Sequence, residues 1–127
     1  IQTTNLRRNM KEFLFVFRRA VDSNAPPQSP EQIQAMMKPW QDWIGSIAAQ
    51  NKLSSSGNRL TNEGRVIKPG KVITDGPYVD IKEAVGGYII VKAQTLDEAA
   101  ALADGCPILH VGGTVEVRMI VPMEDNN

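Results

Sequence analysis

Asp75 and His110 are the side chains of this sequence best suited to moving a proton. His110 is the only histidine, and a neighbouring carboxylate, Asp75 or Glu116, could orient its ring as a general base. The plainer alternatives are a surface or packing histidine and an aspartate that caps a turn. Asp75-Gly76-Pro77-Tyr78 has turn chemistry, because Asp accepts from nearby backbone N–H groups while Gly and Pro restrict the path. A second group could hold a ligand: Trp40, Tyr78, Glu83, Glu116 and Arg118. Glu83 follows Lys82, so an exposed ion pair is the simpler reading there. Cys106, the single cysteine, lies just past a helix C-terminus where the dipole disfavours a thiolate, so a buried inert thiol is expected. One His and one Cys make no metal-ligand spacing, and P-loop, GxGxxG, GxSxG and HExxH patterns are absent. No metal or cofactor is expected.

The elements that must position these groups follow from periodicity. Glu12–Arg18 alternates Phe13, Phe15 and Phe17 on one face with Leu14 and Val16 on the other, so it reads as a central strand. Ser29, Pro30 and Gln32 form a capping box that opens a helix. Its apolar stripe runs Ile33, Met36, Met37, Trp40, Trp43, Ile44, Ile47 and Ala48, and Pro39 should kink or split it. Lys52–Leu60 is a weaker strand that Gly57 can bend. Pro69-Gly70 centres a hairpin within Arg65–Ile73. Gly86-Gly87 leads into a strand over Tyr88–Ala93, and Thr95–Ala103 is a helix with a second capping box from Thr95 to Glu98. Thr114–Val121 alternates, placing Val115, Val117, Met119 and Val121 under the helices and Glu116 with Arg118 on the opposite face.

The order β-α-β-(hairpin)-β-α-β predicts an α+β fold, a ferredoxin-like split βαβ sandwich with both helices on one face of an antiparallel sheet. The other face then needs cover from a second copy of the chain, and a homodimer is expected. At 127 residues there is room for one core. Residues 10–123 should form that domain, with 1–9 a flexible extension and 124–127 a tail. Fourteen basic residues balance fourteen acidic ones, which argues against direct binding of nucleic acid or an anionic membrane. The apolar runs are too short to span a bilayer, and nothing resembles a secretory signal, so a cytoplasmic location is expected.

Several spaced motifs carry a family resemblance. Asp75-Gly76-Pro77-Tyr78, Lys82-Glu83 and Gly86-Gly87-Tyr88 occur in order, flanked by Trp40-Gln41-Asp42-Trp43, Gly105-Cys106-Pro107 and Val115-Glu116-Val117-Arg118. Over about Met10 to Met123 the chain resembles the DGPF branch of YCII-related (YciI-like) proteins. The resemblance implies a dimeric α+β barrel and an association with extracytoplasmic-function sigma factors. It also exposes a departure: YciI-like relatives carry a histidine on the first helix and an Asp-Pro pair after the second. Here Trp40 and Cys106-Pro107 occupy those places. Two roles remain open at this point. One is an accessory or ligand-sensing protein with a small-molecule site in the barrel. The other is a metal-independent enzyme doing acid–base chemistry on a small organic metabolite through Asp75, His110, Glu116 and Arg118.

Overall fold

A computed structural model describes residues 10–20, 29–61, 63–70, 72–75 and 83–123. The elements run β1 (Lys11–Ala20), α1 (Pro30–Ala49), β2 (Leu53–Arg59), β3 (Arg65–Lys68), β4 (Val72–Asp75), β5 (Glu83–Ala93), α2 (Leu96–Ala103), a 3-10 turn (Pro107–Val111) and β6 (Thr114–Met119). Four strands form one antiparallel sheet in the order β2-β5-β1-β6, and β3 pairs with β4 in a separate hairpin. With the hairpin set aside, this is the split βαβ topology of a ferredoxin-like α+β sandwich.

Alternation in the two central strands decides which face is dry. Phe13, Phe15 and Phe17 of β1 and Ile89, Val91 and Ala93 of β5 are buried with Trp43 and Ile47 of α1 and Ala99 and Ala103 of α2. Both helices therefore pack on one face. Trp43 fixes their relation: its indole N–H donates to the Leu102 carbonyl at 3.0 Å, and Gly105 leaves room for its ring. Trp40 and Trp43 meet Phe17 edge-on, at ring-centre distances of 4.9 and 5.9 Å.

Local chemistry sets the element ends. The Ser29 hydroxyl accepts from Gln32 N–H at 3.2 Å while the Gln32 side chain accepts from Ser29 N–H at 2.8 Å, a complete capping box. Pro39 lies inside α1 without splitting it. Gly57 sits at φ +62° beneath the Tyr88 carbonyl, where a side chain would collide, and the β2–β5 register shifts around it. Pro69-Gly70 turns the hairpin as its chemistry requires, with Gly70 at φ +87°.

Some expectations need correction. At α2 only half of the capping box forms: Thr95 Oγ1 accepts from Glu98 N–H at 3.1 Å, but the Glu98 carboxylate turns to Lys52 Nζ, 3.1 Å away. A full charge on β2's approach outcompetes a backbone donor for that carboxylate. Met119 and Val121 are not buried under the helices but 50% and 69% exposed: Met119 is the last residue of the edge strand β6, and Val121 lies beyond its end. Val115 and Val117 are half-buried against the core as expected. Ile33 and Met37 are also exposed, since the buried positions of α1 are confined to its second half. β5 begins at Glu83, so Gly86-Gly87 lies within the strand rather than ahead of it.

Candidate functional site

The face of the sheet opposite the helices is read from the cross-strand register. Leu14 stands opposite Ile90 and Arg118, Val16 opposite Tyr88 and Glu116, and Glu12 opposite Lys92. Directly opposed residues share a face, so these side chains all point away from the helices. Among the described residues no element of the chain covers them. The result is an apolar centre of Leu14, Val16 and Ile90, with Tyr88 beside it and charges at its margins.

The charges cluster along β6. Arg18 Nη2 donates to Glu116 Oε1 at 2.9 Å across the β1–β6 ladder, with both side chains partly exposed. Arg118 shares this face and is exposed, and among the described residues no carboxylate is within ion-pair distance of it. Two guanidiniums against one carboxylate leave this side of the face with an excess positive charge. At the other margin, Tyr88 Oη accepts from Asn58 Nδ2 at 3.2 Å, and Glu12 accepts from the Ser54 hydroxyl. The chemistry on offer is anion binding over an apolar floor.

The sequence-derived candidates divide. Glu116 and Arg118 stand on one face as expected, but the ion pair that forms is Arg18–Glu116 rather than Glu116–Arg118. Arg18 was not among the candidates. The same alternation that put Leu14 and Val16 on the helix-free face extends to it, and that signal was available. Trp40 lies on the other side of the sheet, against Phe17 and Trp43, so the structure does not bring it to Glu116 and Arg118. His110 is exposed in the last turn of the 3-10 segment. That segment abuts the end of β1, where Gly113 packs between Ile108 and the Arg18 carbonyl. Asp75 ends β4, paired in register with Arg65, and Glu83 begins β5 opposite Ala20. Tyr78 and the rest of Gly76–Lys82 lie outside the described residues, as do 1–9 and 124–127.

Cys106 is fully buried at the start of the 3-10 segment. Burial pushes its thiol up to about 11, against a smaller opposing effect of a backbone hydrogen bond at Ile108. Among the described residues no three His, Cys, Asp or Glu side chains gather as a metal site, and no helix is long and apolar enough to cross a membrane.

Fold and face together define a class: a ferredoxin-like α+β domain whose helix-free sheet surface is apolar at its centre and charged at its edge. Residues 18–124 match the YCII-related domain, and the chain belongs to that family. No curated protein matches the sequence.

Proposed function

We propose that the helix-free sheet face is a binding site for a small organic anion, completed by a second copy of the chain, and that the protein is an accessory or ligand-sensing member of the DGPF branch of the family. The observation that carries this is the presence of two arginines, Arg18, bonded to Glu116, and Arg118, without a carboxylate partner among the described residues, beside Leu14, Val16 and Ile90. A carboxylate ligand would meet the surplus guanidinium while its apolar body rests on the aliphatic floor. Glu116 is engaged by a guanidinium, an arrangement suited to placing charge rather than relaying protons, so binding is favoured over acid–base catalysis. The sigma-factor link rests on the family resemblance alone, through Asp75-Gly76-Pro77-Tyr78 and its companions.

Benzoate and its neutral isostere benzamide are suitable probes, followed by NMR on the methyl groups of Leu14, Val16 and Ile90. Benzoate should shift these resonances and saturate. Benzamide should bind about tenfold more weakly or worse, and Arg118→Gln should remove most of the difference. Equal binding of both probes, or shifts confined to residues on the helix side, would overturn the reading.

A further inference from the structure

The outer edge of β6 carries a two-fold pattern. The strand reads Thr114-Val115-Glu116-Val117-Arg118-Met119 and lies at the margin of the sheet, with β1 on its inner side. Ile120 N–H donates to the Glu12 carbonyl at 2.9 Å. Backbone polar groups alternate along a strand, so the N–H and C=O groups of Glu116 and Arg118 also turn inward to β1. Those of Val115, Val117 and Met119 therefore point outward, and among the described residues no strand receives them.

We infer that this edge pairs antiparallel with β6 of a second copy, about a two-fold axis at Val117. In that register Val117 and its copy exchange backbone hydrogen bonds, as do Val115 and Met119 of opposite chains. All of these are outward-turned residues, so the hydrogen-bonding parity is right. The side chains agree independently. Val115 meets Met119 and Val117 meets Val117 on the helix side, while Glu116 of each chain faces Arg118 of the other on the helix-free side. The Glu116–Arg118 pairs fall at the positions that do not exchange hydrogen bonds, where opposed Cα atoms approach to about 4.5 Å and side chains interact most closely. A register displaced by two residues would break this match, setting Glu116 opposite Glu116 or Arg118 opposite Arg118.

The pairing brings Arg118 a carboxylate neighbour from the other chain, and with two arginines to each Glu116 the cluster keeps the excess positive charge that an anion would meet. Each Glu116 then lies between Arg18 of its own chain and Arg118 of the other, so the charged cluster is built from both chains and is incomplete in either alone. A two-fold axis normal to the sheet also keeps both helix-free faces on the same side. Two four-stranded sheets become one, and curling toward that side closes the faces around a shared interior. The inference rests on the proposal that a second copy covers this face, and it specifies the strand and the register.

The test is a charge exchange read by sedimentation velocity without ligand. Arg118→Glu sets a carboxylate against Glu116 at both contacts, and Glu116→Arg sets a guanidinium against Arg118 at both. Each variant should dimerise at least about tenfold more weakly than the parent chain. An equimolar mixture of the two should recover the dimer, because both contacts again join opposite charges. Thermal melts showing that each variant is folded complete the comparison. Recovery in the mixture alone supports the edge pairing. A parent chain that is monomeric at 100 µM, on the order of ten times a weak dimer constant, overturns both the cover and the pairing. A parent dimer indifferent to either variant, or a mixture that fails to recover, overturns the β6 register while leaving cover by a second copy standing.

Discussion

Cys106 has no exposed surface, and its burial has a signed consequence for stability. The folded thiol gives up its proton only near pH 11, against 9.0 for an ordinary one. Between those values the unfolded chain binds fewer protons than the folded one, so stability falls as pH rises through that window and is unaffected by this group below it. Cys106→Ala should remove that component, seen as a shallower loss of melting temperature from pH 9 to 11 than in the parent chain. At neutral pH a thiol reagent should modify the native protein only as fast as it unfolds, and rapid stoichiometric labelling would contradict the assignment. The burial of Cys106 was legible from its place after α2. The Arg18–Glu116 bond was harder to read, because its partners are 98 positions apart and meet only through the β1–β6 register. Alternation assigns each arginine to a face, but it does not say which of two arginines a carboxylate will choose.

At the level of elements, the most local signals were the most legible. The Phe13-Phe15-Phe17 alternation, the Ser29–Gln32 capping box and the Pro69-Gly70 turn each describe a few neighbouring residues, and each is found in the structure. Where the outcome depends on a distant competitor, local reading fails: Glu98 leaves its capping box for Lys52, from a strand away. The glycines make this distinction measurable. Gly57 holds φ +62°, and an added Cβ would lie 1.7 Å from the Tyr88 carbonyl oxygen, so Gly57→Ala must displace backbone of the sheet. It should destabilise the protein by about 2 kcal/mol or more in urea unfolding. Gly45 is inside α1 with no atom within 4 Å of a Cβ. Gly45→Ala should stabilise by about 0.5–1 kcal/mol, because alanine restricts the unfolded chain and favours helix. Equal effects at the two sites would mean that Gly57 does not tie β2 to β5.

For the whole molecule, the decisive fact is that β1 and β5 are apolar on both faces while both helices occupy one. A solvated antiparallel face normally alternates to polar residues. Leu14, Val16 and Ile90 break that rule on the face that no described element covers. Each is already half-shielded by its sheet neighbours in the single chain, so a charge placed there should leave the helix-side core intact. Val16→Lys and Ile90→Lys should then melt within a few degrees of the parent, since a lysine stem can lie along the half-buried sheet surface with its ammonium in water. A second copy closing over this face would instead have to bury the ammonium groups beside Arg18 and Arg118, adding cations where the charge is already in excess. The expected result is a folded monomer by circular dichroism and light scattering at concentrations where the parent chain is expected to dimerise. If both variants remain dimers with unchanged affinity, the apolar centre is not the covered surface. The excess of arginine beside it would then face solvent, and the anion site would have to function without an enclosing wall.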